Sequence, residues 1–195
     1  MMETPAKAPA QAVVIGASAG ALEALSVILP ALPRDYGLPV IIVVHLPPDK
    51  TSVLAALFAD KCAMLVVEAA DKEPVFPGTV YFAPPGYHLL IEMDKTLSLS
   101  SDQPVFFSRP SIDVLFESAA DAYGATLIAV VLTGANQDGA SGMKSVIAAG
   151  GTGLIQRPGD AFARAMPEAA IALCPTAHVL SVAEIALYLR SIEKV

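Results

Sequence analysis

Three side chains suited to acyl transfer stand far apart in this chain of 195 residues: the hydroxyl of Ser18, the imidazole of His45 and the carboxylate of Asp138. Ser18 lies in Gly16-Ala17-Ser18-Ala19-Gly20. A G-x-S-x-G spacing forms a nucleophile turn when a strand runs into it and a helix leaves it. A hydroxyl placed there stands clear of its own backbone, and the free N–H groups of the helix face any negative charge that forms beside it. Serine is a poor nucleophile at neutral pH until a base takes its proton. An imidazole does that, and a carboxylate fixes the imidazole's tautomer and stabilises the imidazolium. Each residue also has a plainer reading. Ser18 suits a helix N-cap, His45 a strand-end histidine bonded to a carbonyl, and Asp138 a turn or cap. His88 and His178 are rival bases, ranked lower because neither follows a long buried strand.

The elements that must position these groups are legible from pattern. The run from Ala12 ends at the serine turn, and Leu22 to Leu29 follows as an amphipathic helix. Pro39 to Val44 is a β-branched run of the kind buried on both faces of a parallel sheet, and His45 ends it. Asp49 to Ser52 signals a helix start for Val53 to Cys62, followed by strands at Met64–Val67 and Thr79–Ala83. His88–Met93 and Thr96–Ser100, joined by Asp94-Lys95, predict an antiparallel hairpin added to the sheet. Ser111 to Tyr123 is a helix with Ile112, Leu115, Phe116 and Ala119 on one face. The most apolar strand, Ala125–Leu132, leads to the loop carrying Asp138, then to a helix over Ala140–Ala149. A Gly-rich turn at 150–153, a strand at Leu154–Gln156, a helix at Pro167–Leu173 and a last helix at Val182–Ile192 complete the chain. This alternation predicts a doubly wound, mostly parallel α/β sheet in three layers, α/β/α. In such sheets ligands bind beyond the carboxyl ends of the strands, where Ser18, His45 and Asp138 all fall.

Bulk properties narrow the function. A net charge of −7 argues against a nucleic-acid partner, which needs clustered Lys and Arg. The hydrophobic fraction is 54%, yet no apolar run reaches the ~20 residues of a membrane span, so no membrane insertion is expected. Cys62 and Cys174 suggest neither a disulfide framework nor a metal cluster, and a cytoplasmic location is expected. No metal or cofactor is expected. Residues 1–11, Pro/Ala-rich, predict a flexible tail, with one catalytic domain over 12–195.

The order Ser, His, Asp differs from the Ser, Asp, His of α/β-hydrolases. At this point the residues match a known family. Val13 to Leu25, with Glu23-Ala24-Leu25 closing it, resembles the opening of the CheB-type chemotaxis protein-glutamate methylesterase domain. In order follow Val44-His45-Leu46-Pro47, Ala83 to Leu90 (Ala-Pro-Pro-Gly-Tyr-His-Leu-Leu), and Arg109 to Phe116 (Arg-Pro-Ser-Ile-Asp-Val-Leu-Phe). Leu132-Thr133-Gly134 with Asp138 to Gly142, and Ala165 to Ala170, complete the set.

The resemblance implies Ser18 as nucleophile, His45 as base and Asp138 as orienting acid. It implies a serine hydrolase that removes methyl esters, as methanol, from glutamyl residues on the cytoplasmic helices of chemoreceptors, and deamidation of receptor glutamines by related chemistry. The expected oxyanion donors are the backbone N–H groups of Ala19 and of a residue near Ala135. Arg109, Arg157 and Arg164 are the nearest candidates, by motif, for docking the acidic receptor. Many members carry an N-terminal receiver domain. With residues 1–11 before the first strand, the sequence reads as a stand-alone catalytic domain without a receiver: either it was cut from a longer protein, or it acts alone, or a separate response regulator or methyltransferase partner regulates it. The sequence departs from the family at Ala19 (usually Thr), at Gly20-Ala21 (usually Gly-Gly) and at Ala135-Asn136 (usually Met-Gly). Asn136 fits if its backbone is left-handed. These departures keep open a catalytically weakened docking or signalling module. A dinucleotide site is disfavoured, because His45 stands where an acidic ribose ligand belongs.

Overall fold

The computed structural model describes residues 9–45 and 53–192. Seven parallel strands form the main sheet: β1 (Ala12–Ala17), β2 (Val40–Val44), β3 (Leu65–Glu68), β4 (Thr79–Phe82), β7 (Leu127–Val131), β8 (Thr152–Gln156) and β9 (His178–Leu180). Their order is β3-β4-β2-β1-β7-β8-β9. The central three, β2, β1 and β7, are buried at every position, which accounts for their unbroken apolar sequences.

Side-chain alternation sends each strand's residues to two cores. Val13, Ile15, Val40 and Ile42 meet α1 (Ala21–Ile28), α2 (Leu54–Ala59) and α6 (Val182–Arg190). Val14, Ile41, Val43 and Val131 meet α3 (Ile112–Tyr123), α4 (Ala140–Ala148) and α5 (Ala165–Leu173). The architecture is the expected three-layer α/β/α.

Register places the site. Ala17 pairs with Val44 across β1 and β2, and Gly16 with Val131 across β1 and β7. Ser18, His45 and the loop carrying Asp138 therefore leave three neighbouring strands at one edge. The chain runs outward from β1 on one side and returns to β7 on the other, so this edge is a topological switch point, where doubly wound sheets bind ligands.

Several expectations change. The hairpin, β5 (His88–Ile91) with β6 (Leu97–Ser100), is a separate two-stranded sheet and not an addition to the main one. Its apolar side, Leu89, Ile91 and Leu97, packs in the core shared with α3, and the Ile91 N–H donates to Ser118 Oγ at 3.2 Å. β8 begins at Thr152, inside the expected turn. Gly153 allows this, because a Cβ there would stand 2.7 Å from Met143 Sδ on α4. α5 begins at Ala165, before Pro167, since proline is tolerated in a first helical turn. Of the expected tail, residues 1–8 lie outside the described part, while the Gln11 N–H donates to the Thr126 carbonyl at 2.9 Å. The expected helix start at Asp49–Ser52 and the motif residues Leu46-Pro47 also lie outside it.

Candidate active site

Ser18 follows β1 directly and is half-buried. Its N–H donates to the Thr133 carbonyl at 2.9 Å, and its own carbonyl accepts from Ala21 N–H at 3.0 Å, closing the turn. The N-cap of α1 is Gly20, at φ 84°, with no side-chain cap. Ser18 is therefore not the helix cap. Glycine is required at position 20 twice over: for its positive φ, and because a Cβ would stand 2.5 Å from the Phe162 Cβ.

His45 is held by its main chain, whose N–H donates to the Ala17 carbonyl at 3.1 Å, one residue before Ser18. Its Nε2 meets Asp138 Oδ2 at 2.8 Å, with side chains 10% and 0% exposed. Nε2–H donating to the carboxylate leaves Nδ1 as the ring's acceptor. Ser18 Oγ has no hydrogen bond to another described residue; register sets Ser18 and His45 at the ends of the paired strands β1 and β2. Catalytic contacts are commonly loose without substrate.

Asp138 is a cap, but of a different helix from the one that follows it. α4 has Gly139 as its N-cap, whereas Asp138 accepts from the Ile112 N–H at 2.7 Å, the Asp113 N–H at 2.9 Å and the Ser111 hydroxyl at 2.9 Å, all at the start of α3. Burial alone would raise its pKa. The hydrogen bonds from His45, Asp113 and Ile112 outweigh that and hold it below the ordinary carboxylate value.

Sequence reasoning missed the groups behind Asp138. Ser111 is fully buried, and its N–H donates to His88 Nδ1 at 3.1 Å; His88 Nε2 in turn donates to the Gln103 carbonyl at 3.1 Å. Both ring nitrogens of His88, the rival base, are thus already partnered within the fold. His178, the other rival, lies on the edge strand β9 with its ring 6.1 Å from that of Tyr188 and tilted by 35° to it. Asp113 Oδ1 accepts from the N–H groups of Gly139 and Gly142, at 2.9 and 2.6 Å. Burial, with the Asp138 charge adding to it, pushes Asp113 up to about 6 despite those two bonds. A carboxylate on the buried face of α3, beside Ile112 and Phe116, was the sequence signal.

Among the described residues, the N–H groups of Ala19 and Ala135 have no acceptor, while the flanking N–H groups of Ser18 and Gly134 bond to the carbonyls of Thr133 and Ala163, each at 2.9 Å. The left-handed backbone on which Asn136 would be tolerated is not present; instead its Oδ1 accepts from the Asp138 N–H at 3.2 Å.

The arginines differ in setting. Arg109 donates to the carbonyls of Ser101 and Asp102, at 2.7 and 2.9 Å, and lines a cavity of about 190 Å³ with His45 and Phe107. Arg157 is paired with Asp160 at 3.1 Å and Glu184 at 2.9 Å. Arg164 is exposed at the start of α5. Two exposed aromatics border the site: Phe107 by His45, and Phe162 against Gly20.

This is a doubly wound α/β domain that sets a hydroxyl, an imidazole and a carboxylate, the groups acyl transfer uses, at adjoining strand ends. The chain belongs to the CheB methylesterase family, whose model matches residues 13–189. A Leptospira interrogans protein, named provisionally as a protein-glutamate methylesterase/protein-glutamine glutaminase, is 46% identical over 181 residues, covering 92% of this chain and 94% of that one. The protein-glutamate methylesterase/protein-glutamine glutaminase of Symbiobacterium thermophilum is 37% identical over 178 residues, 91% of this chain but 49% of that protein. The crystal structure of the Thermotoga maritima CheB methylesterase catalytic domain superposes with a TM-score of 0.90 at 32% identity, covering 95% of this chain and 100% of that domain. No helix among the described residues is long and apolar enough to cross a membrane.

Proposed function

We propose that the chain is a protein-glutamate methylesterase acting on the cytoplasmic helices of chemoreceptors, with Ser18 as nucleophile, His45 as base and Asp138 as orienting acid. The observation that carries this reading is the 2.8 Å bond between His45 Nε2 and the buried Asp138, beside the serine turn. Family membership and the relatives' names support the substrate class.

In the first half-reaction Ser18 Oγ bonds to the carbonyl carbon of a glutamyl γ-methyl ester while His45 Nδ1 takes the hydroxyl proton. The carbonyl π pair moves onto oxygen, facing the N–H groups of Ala19 and Ala135. The bond to the methoxy oxygen then breaks, and that oxygen leaves as methanol with the proton from His45. In the second half-reaction water attacks the acyl-serine and gives one proton to His45, which returns it to Ser18 Oγ as the glutamate side chain departs as a carboxylic acid and loses its remaining proton to solvent. A glutamine side chain enters by the same attack and releases ammonia. Throughout, Asp138 stays ionised and stabilises the imidazolium.

The test is methanol release from a receptor cytoplasmic fragment carrying glutamyl methyl esters. Release by the wild type and none by Ser18→Ala is the expected result. No release by the wild type, or equal release by both, overturns the proposal.

A further inference from the structure

We propose that Thr133 is the positioning residue that aims both oxyanion donors; the inference rests on the esterase reading above. Thr133 lies two residues beyond β7, is 1% exposed, and uses every polar group it has. Its carbonyl accepts from the Ser18 N–H at 2.9 Å, and its hydroxyl donates to the Ala19 carbonyl at 2.7 Å. The peptide planes on both sides of the Ser18–Ala19 bond are therefore tied to one residue. The plane between them is held by the Ser18 carbonyl, which accepts from Ala21 N–H at 3.0 Å. In a trans peptide the N–H points opposite to the C=O, so the Ala19 N–H is aimed out of the turn.

The second donor is set in the same way. Thr133 Oγ1 accepts from the Ala163 N–H at 2.9 Å, and the Ala163 carbonyl accepts from the Gly134 N–H at 2.9 Å. The Gly134 carbonyl accepts from the Met166 N–H at 3.0 Å, which turns the Ala135 N–H the opposite way. The hydroxyl has one proton. It goes to the Ala19 carbonyl at 2.7 Å in preference to the Ala163 carbonyl at 3.3 Å, leaving a lone pair for the Ala163 N–H. Thr133 is itself anchored, its N–H donating to the buried Gln156 Oε1 at 2.8 Å, whose Nε2 donates to the Asp160 carbonyl at 3.1 Å. One hydroxyl thus joins the serine turn to the loop at Ala163, and through it both donors.

Donor geometry matters most where negative charge develops in the transition state, so loosening it lowers kcat more than it raises KM. Thr133→Val keeps the branched shape and removes both bonds of the hydroxyl; Thr133→Ser keeps both. Thr133→Ala, which leaves room for water, replaces the valine variant if that one does not fold. With a peptide carrying a glutamate γ-methyl ester, Val or Ala is expected to lower kcat by roughly 10–100-fold with KM within about twofold, given what one oxyanion donor is worth. The affinity of a phenylboronic acid, which mimics the tetrahedral species, is expected to weaken by the factor lost in kcat/KM. Thr133→Ser is expected to restore both. A folded Val or Ala variant with wild-type kcat overturns the inference, as does a serine variant as impaired as valine, or a loss in KM alone. A wild type that neither releases methanol nor reacts with a fluorophosphonate overturns the esterase reading itself, a different result from an active wild type indifferent to Thr133.

Discussion

Asp138 caps the helix that carries Asp113, and Asp113 caps the helix that begins just after Asp138. The first accepts from the N–H groups of Ile112 and Asp113, the second from those of Gly139 and Gly142. Each carboxylate meets the positive end of a helix. The exchange locks α3 and α4 together and leaves Asp138 Oδ2 aimed at His45.

Asp138→Asn tests the electrostatic half of this arrangement. An amide cannot accept from the helix N–H groups and from His45 Nε2–H together, so the imidazole is driven toward the wrong tautomer. A kcat lower by roughly 10³–10⁴ is expected, by the rule for the orienting acid of a triad. Steady-state kinetics on the methyl-ester peptide checks it, and a loss below tenfold contradicts it.

Asp113 titrates in the opposite sense from Asp138. Its folded pKa, pushed up to about 6 by burial, lies above its unfolded value. Its contribution to stability is full below the unfolded pKa and is lost as pH rises through about 6. Asp113→Asn keeps Oδ1 as the acceptor for both N–H groups and removes the titration. The stability of the variant relative to wild type is expected to rise by roughly 1–3 kcal/mol between pH 4 and pH 7. Denaturant unfolding across that range reads it directly, and a flat difference contradicts it.

Ser111→Ala removes the hydroxyl that donates to Asp138 Oδ1 and so loosens the acid. A stability loss of about 1 kcal/mol and a fall in kcat of several-fold are expected. Thermal unfolding paired with kinetics checks both, and unchanged kcat would confine Ser111 to folding.

The arginines separate by what they already hold. Arg157→Glu breaks two exposed ion pairs and is expected to leave KM for a methylated receptor fragment unchanged. Arg164→Glu, at an exposed position two residues from Phe162, is expected to raise that KM several-fold. Equal effects from the two reversals would dismiss Arg164 as a docking residue.

Most of the frame was legible because buried parallel strands leave continuous apolar runs: β1, β2 and β7 were bounded to within a residue or two, and their ends marked Ser18, His45 and the Asp138 loop. Tertiary packing decided what periodicity could not. The β5–β6 hairpin packs onto α3 because α3 offers it an apolar face, and β8 starts early because Gly153 admits Met143. The groups behind the triad were harder to see. Ser111 and Thr133 fall within motifs shared with the family, but a serine or threonine that bonds across the fold looks like any cap or strand-end residue, so nothing in the sequence states their partners. His88 reads as a candidate base because nothing in the sequence states that its ring already has two partners.

The central claim is that Ser18 is the nucleophile, activated by a His45 that Asp138 orients. Intact-mass measurement after a fluorophosphonate, with the adduct mapped by peptide sequencing, tests it most directly. One adduct on Ser18 in the wild type, lost in Ser18→Ala and slowed by orders of magnitude in His45→Ala, is the expected result. An adduct on another residue, or equal labelling of the Ser18→Ala variant, would contradict it.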